Sequence, residues 1–260
     1  MLPKTAIILL NWNGWEDTVD LLDSIKQAAC NPKLVIVIDN NSTNDSLVHL
    51  RDWLQRSAVA STVVQHTEDR SQAEPITLSQ PWAQNTHYLL VESSHNLGFC
   101  AGNNLGMSIA EQLGAAYSLI LNNDTVVQPN FLAPMVEAAE SDPQVGLVGG
   151  LITYCESPET VWWAGGSFDA FLNTQRLLNG EPVDRVPMDA PYETQWVSGC
   201  MMLIPTRIFQ QFGGYPEEYF IWSEEWDYSL MVSRAGYRLM VAPQTRICHK
   251  VGRSLGIMKP

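Results

Sequence analysis

Two stretches of this chain set oxygen-bearing side chains against apolar sequence. In "YSLILNNDTVVQP", residues 117–129, a run that reads as a buried strand stops at Asn122, Asn123 and Asp124. In "YFIWSEEWDYSLM", residues 219–231, Glu224, Glu225 and Asp227 stand among aromatic and aliphatic neighbours. A carboxylate at a strand end suits Mg2+ or Mn2+, which take oxygen ligands, keep waters and need few protein groups. The same residue can serve as a turn cap. Crowded carboxylates raise one another's pKa, which suits a general base. At a helix start they also answer the macrodipole. His249 lies in "ICHKVGRS" with Lys250 and Arg253, which reads either as an anion site or as a structural histidine before a solvated basic tail.

Gly98, Gly102 and Gly106 recur every fourth residue. On a helix they form one smooth stripe, open to close approach by another helix or by a ligand. The spacing is not GxGxxG, and GxxxxGK[ST], HExxH and GxSxG do not occur. Dinucleotide, P-loop, common metalloprotease and common hydrolase readings therefore fall away.

The elements that must position these residues alternate. "TAIILL", "KLVIVID", "HYLLVES" and "YSLIL" read as buried strands, and "QVGLVGG" as a further short one. Helical periods lie between them: one from Trp15 with Val19, Leu22 and Ile25, one capped by Ser42 or Thr43, one ending near Gly114, and one from Pro129 to about Ser141. Strand–helix alternation means a mostly parallel sheet with helices on both faces, an α/β fold. Ligands bind at the carboxyl edge of such a sheet. Asn11, Asn13, Asp39, Asn40, Asn96 and Asn122–Asp124 all fall at that edge. Gln55 to His87 reads as an insertion in which "STVVQ" and "PITL" are ordered. The second half suggests β structure crossing the first sheet, a helix from about Glu224 to Ala235, and two last short strands, "YRLMVAP" and "TRICHKVG".

The net charge of −13 excludes the basic footprint that a nucleic-acid partner requires. Cys30, Cys100, Cys155, Cys200 and Cys248 are odd in number and form no CxxC, so they read as reduced thiols of a cytoplasmic protein. No apolar run reaches the ~20 residues that cross a bilayer, and the N-terminus does not read as a signal peptide.

In combination, "ILLNWNGWEDTVDLLDSI", "VIVIDNNSTNDS", "NLGFCAGNNLGM", "LILNNDTVVQPNFL", the stretch from "VSGCMMLIP" to "RAGYRL", and "CHKVGRS" resemble the family-2 glycosyltransferases of the GT-A fold, in their rhamnosyltransferase-like group. The resemblance covers most of the chain outside Gln55–His87 and about Phe171–Thr194. It implies one GT-A domain over 1–260: a nucleotide-binding half, 1–150, with an insertion near 55–87, and an acceptor-binding, catalytic half, 151–260. It puts the nucleotide-binding acid on Asp39, the donor-pocket loop on Asn96, Gly98 and Asn103, and the metal motif on Asn122, Asn123 and Asp124, of which one carboxylate survives. His249 matches a histidine that completes the metal site. The general-base aspartate of the family falls on Glu225, within Glu224–Asp227.

The resemblance further implies an inverting transfer from a UDP- or dTDP-linked sugar to a saccharide or lipid-linked acceptor in surface-polysaccharide synthesis. Mg2+ or Mn2+ sits on Asp124 and His249, Asn11 and Asn13 lie beside the donor, and Lys250 or Arg253 meets the diphosphate. Trp222 and Trp226 are candidates for stacking on the acceptor. Peripheral contact with the inner face of the cell membrane and assembly into a homo-oligomer are compatible with it. A nucleotidyltransferase and a non-catalytic nucleotide-sugar-binding subunit remain as alternatives.

Overall fold

Runs of β-branched and aliphatic residues make the strands of the central sheet. The computed structural model describes residues 3–28, 34–67, 76–79, 82, 85–171 and 173–251. β1 (Thr5–Asn11), β2 (Leu34–Asp39), β4 (His87–Ser93) and β5 (Tyr117–Leu121) are buried almost throughout, as strands covered on both faces must be. β3 (Ala60–His66) lies at the sheet edge with alternating exposure. The insertion therefore supplies an edge strand that contains "STVVQ", whereas Ile76 and Leu78 of "PITL" pack on the core without forming a strand.

β1 runs parallel to β2 and β5, and β4 runs parallel to β2 and β3. Register places Asn11 beside Asp39 and Asp39 beside Glu92, so the polar strand ends share one rim. α1 (Trp15–Gln27), α2 (Ser46–Arg56), α3 (Gly98–Gln112) and α4 (Ala133–Glu140) cover the sheet. α4 starts later than the sequence suggests. Residues 125–127 form a short strand, β6 (Thr125–Val127), and Pro134 rather than Pro129 takes the first turn.

The second half joins the sheet instead of crossing it. β7 (Val145–Tyr154), β8 (Val161–Trp163), β11 (Tyr192–Thr194), β12 (Met201–Pro205) and β13 (Arg238–His249) extend it to eleven strands, with β12 antiparallel between β5 and β7. β9 (Gly166–Phe168) and β10 (Thr174–Arg176) form a separate hairpin. α5 (Thr206–Phe212) and α6 (Glu224–Arg234) complete the chain. The two expected last strands are one, β13, with a register irregularity between Ala242 and Arg246, around Pro243.

Two glycines of the stripe, Gly102 and Gly106, meet a strand rather than another helix. A Cβ on Gly106 would lie 2.4 Å from Ile8 Cγ2, and one on Gly102 would lie 2.6 Å from Leu10 Cδ1, so the stripe seats α3 directly on β1. Gly106→Val is expected to cost about 1–3 kcal/mol by overpacking, seen as a drop of several degrees in Tm. An unchanged Tm would show that α3 lifts off β1 without penalty.

The reading of every cysteine as a reduced thiol is corrected. Cys155 and Cys248 form a disulfide across 93 residues, while Cys100 and Cys200 are free and buried. Neighbouring β7 and β13 bring the two together, since Cys248 pairs with Thr153 and Cys155 comes directly after β7. The thiol argument for a cytoplasmic protein lapses with this bond. Cys30 lies outside the described residues. Among the described residues, no helix is long and apolar enough to cross a membrane.

Candidate active site

The rim is built on a buried polar network. Asp39 is 0% exposed. Its Oδ1 accepts from Asn11 Nδ2 at 2.7 Å and from Ser42 Oγ at 2.6 Å, and its Oδ2 accepts from the Ser42 N–H at 3.0 Å. Thr18 Oγ1 donates to Asn11 Oδ1, and Asn123 Nδ2 donates to Thr18 Oγ1. β1, β2, α1 and the end of β5 are thereby tied into one unit, and a satisfied network of this kind is stiff. Ser42 does not cap α2, which begins at Ser46; it serves Asp39 and the Asn13 N–H instead. Asn13, at φ +55°, accepts the Thr43 N–H.

A second set fixes the loop into α3. Asn40 Nδ2 donates to Asn96 Oδ1 and to the Gly98 carbonyl, and Asn40 Oδ1 accepts the Leu97 N–H. Gly98 has φ +77°, and a Cβ there would lie 2.8 Å from the Phe220 ring, so glycine is required twice over. Asn103 is buried and donates to the Phe99 carbonyl.

Asp124 and His249 meet because β6 pairs antiparallel with the end of β13, His249 opposite Thr125. His249 Nε2 lies 3.2 Å from Asp124 Oδ1, and both residues are buried. Burial alone would lower the imidazole pKa; the neighbouring Cys200 and the Asp124 carboxylate outweigh it and raise the pKa above the ordinary value. Asn122 Oδ1 is buried without a hydrogen-bond partner, and the Asn122 N–H donates to the Cys200 carbonyl at 3.0 Å.

These groups fit a divalent cation. Two ligands on adjacent corners of an octahedral shell with bonds of about 2.1 Å stand roughly 3 Å apart, close to the His249–Asp124 spacing, and the orphaned amide oxygen adds a neutral donor nearby. Among the described residues, no set of three His, Cys, Asp or Glu side chains gathers as a complete cage. That leaves the remaining positions to water and phosphate oxygens, as Mg2+ and Mn2+ commonly accept.

Glu224 and Glu225 open α6. Ahead of them, Trp222 and Ser223 both have positive φ, 74° and 72°. Each such residue costs on the order of 1 kcal/mol or more, a strain typical of functional sites. The turn aims both carboxylates inward: Glu224 is 5% exposed, and its Oε2 has no hydrogen-bond partner. A Cβ on Gly199 would lie 3.6 Å from both Glu224 Oε1 and Glu225 Cβ, so the chain entering β12 runs directly against the pair. Burial, then the charge of Glu224, pushes the Glu225 pKa up to about 8. Glu224 is also raised by burial, against which bonds to backbone N–H groups and to Glu225 work. Burial and mutual repulsion thus favour retention of a proton by the pair.

The segment Gly199–Cys200 links the two acidic sites: Gly199 lies against Glu224 and Glu225, and the Cys200 carbonyl accepts the Asn122 N–H. Burial raises the pKa of the Cys200 thiol, and His249, Asp124 and Glu225 all lie within electrostatic reach of it. β12 begins directly after this segment, at Met201. Asp227 is exposed, unlike the two glutamates. Lys250 Nζ is already engaged, at 2.7 Å from both Asp17 and Asp20 on α1. Arg253 lies outside the described residues. Thr18, Cys200 and Trp162, whose ring stands edge-on to His249 at 4.6 Å, were not singled out by the sequence. Thr18 had one visible sign, a hydroxyl on the buried face of α1, where Asp17 is buried as well.

A parallel-dominated sheet with a reversed strand beside a carboxylate rim is the GT-A glycosyltransferase fold. It is shared by a crystal structure of GalNAc-T7 with UDP, GalNAc and Mn2+ (TM-score 0.68, 17% identity, 95% of this chain and 44% of that one). It is shared as well by the mannosyltransferase PcManGT from Pyrobaculum calidifontis in complex with GDP-Man and Mn2+ (TM-score 0.64, 16% identity, 97% and 58%). Residues 111–258 match the glycosyltransferase-like family 2, and the chain belongs to that family. An N-acetylglucosaminyl-diphospho-decaprenol L-rhamnosyltransferase of Mycobacterium tuberculosis is 23% identical over 64% of this chain and 60% of its own length. The low-salt glycan biosynthesis hexosyltransferase Agl10 of Haloferax volcanii is 22% identical over 90% and 63%. The chain therefore spans a little over three-fifths, at most, of the curated relatives it matches.

Proposed function

We propose that this protein is an inverting, divalent-metal-dependent glycosyltransferase acting from a nucleoside-diphosphate sugar on a hydroxyl of a saccharide or lipid-linked acceptor. The observation that carries the reading is that Gly199 lies against Glu224 and Glu225 while the carbonyl of its neighbour Cys200 accepts the Asn122 N–H, two residues before Asp124 of the Asp124–His249 pair. The acceptor class is supported by the diphospho-decaprenol in the name of the rhamnosyltransferase relative.

Asp124 and His249 would hold Mg2+ or Mn2+, which supplies charge to offset that developing on the departing diphosphate. The network through Asp39, Asn11 and Thr18 keeps the strand ends from shifting as the nucleotide docks. Asn13, Asn96, Gly98 and Asn103 shape the wall beside it. Glu225, once deprotonated, takes the proton of the acceptor hydroxyl. That oxygen attacks the anomeric carbon on the face opposite the leaving group, so a single displacement inverts configuration, through a centre of oxocarbenium character.

The test uses UDP- and dTDP-sugars with Mn2+. A ligand that binds only the native state raises its Tm, so UDP with Mn2+ is expected to stabilise the wild type more than UDP alone. Asp124→Ala is expected to lose that increment together with nucleotide release. Release by Asp124→Ala at the wild-type rate, or a retained linkage in the product, would refute the assignment.

A further inference from the structure

The hairpin β9–β10 carries a cation that the proposed mechanism does not use. Arg176 Cζ sits 4.6 Å from the centroid of the Trp162 ring. That ring stands edge-on to His249, at 4.6 Å and 87°. Arg176 is exposed and, among the described residues, faces no carboxylate partner. Other cations of this region differ: Lys250 is held by Asp17 and Asp20, and Arg246 lies 3.2 Å from Glu159.

The hairpin is also fixed to the other carboxylate pair. A Cβ on Gly166 would lie 2.0 Å from Trp196 Cε2, so β9 rests directly on that indole. Trp196 in turn packs against Trp226 of α6 at 6.1 Å. Arg176 is thus one ring from His249 and two rings from the helix that bears Glu225. In the sheet, β8, which bears Trp162, pairs with β7 on the far side of β12 from β1, β2 and β4, so the Arg176–Trp162 contact lies apart from the strands that carry the Asp39 network.

We propose that Arg176, stacked on Trp162, forms an anion subsite that takes a phosphate or diphosphate group of the acceptor. The ring beneath the cation holds the guanidinium in place over Trp162, and its N–H donors suit phosphate oxygens in bidentate geometry. A chain of net charge −13 otherwise repels an anionic acceptor, so one cation without a carboxylate partner beside the reacting centre has a large local effect. The inference rests on the glycosyltransferase reading for what the acceptor is, but its test reads binding alone.

The full chain is titrated with geranyl diphosphate and with geraniol in the presence of saturating UDP and Mn2+, so that the donor site is filled. The wild type is expected to bind the diphosphate and not the alcohol. Arg176→Gln should weaken the diphosphate about tenfold, the loss of one charge-assisted contact, and Arg176→Lys should fall between. UDP affinity should be the same in all three proteins, with far-UV spectra confirming the fold. Equal affinity of wild type and Arg176→Gln for geranyl diphosphate, or no binding by the wild type, overturns the proposal. A parallel loss of UDP affinity also overturns it, because the guanidinium would then serve the donor. A failure of nucleotide release by the wild type would sink the proposed reaction while leaving this titration readable.

Discussion

Glu225→Gln is expected to lower kcat by about 10²–10⁴, the usual range for a positioned general base, with nucleotide affinity unchanged. The substitution keeps size and hydrogen-bonding shape but removes the proton acceptor. Because burial and the charge of Glu224 hold the Glu225 pKa up to about 8, the wild type is mostly protonated at neutral pH. Activity should therefore rise roughly tenfold per pH unit and level off above about 8, whereas the residual rate of Glu225→Gln should not track that curve. The stability sign is opposite. Folded Glu225 keeps its proton above pH 4.5, where the unfolded chain has released it. Stability from this group is fully present below that pH and declines as pH climbs toward 8. A wild-type profile that is flat from pH 6 to 9 would remove Glu225 from the role.

Reducing the Cys155–Cys248 bond is expected to have the largest effect on stability. It closes a separation of 93 residues, and cross-links of that span contribute about 2–4 kcal/mol by restricting the unfolded chain. For a chain of this size the loss amounts to a Tm drop of roughly 5–15 °C. Because Cys248 precedes His249, and the Cys155 N–H donates to the His249 carbonyl, the same treatment should weaken the Mn2+-dependent stabilisation. Cys155→Ser should match the reduced wild type and be insensitive to reductant. Mass spectrometry after alkylation supplies the check: Cys155 and Cys248 both found as free thiols in protein purified without reductant would show that the bond does not form.

Much of residues 1–150 is legible in the chain, because parallel strands buried on both faces leave unbroken apolar runs that stop where the rim begins. Asn11, Asp39 and Asp124 stand out as polar ends of such runs. Glu224 and Glu225 stand out because aromatics enclose them. The features that escaped depend on pairing between distant segments. Nothing local marks β12 as the strand inserted between β5 and β7, or joins "YRLMVAP" to "TRICHKVG" across Pro243. The disulfide arises from the register of β7 against β13, which spacing does not encode. Lys250 looked available for an anion because Asp17 and Asp20, over two hundred residues earlier, are invisible as its partners from sequence.

The reversed direction of β12 bears on how such a protein can diversify. β7 ends at Tyr154, and β12 enters the interior of the sheet beside it at Met201. The excursion between them carries Trp162, Arg176 and Trp196, yet its two ends are anchored independently of its length. Selection could rewrite the β9–β10 hairpin of that excursion, which is not paired with the central sheet, without breaking the β6–β13 pairing that sets Asp124 beside His249.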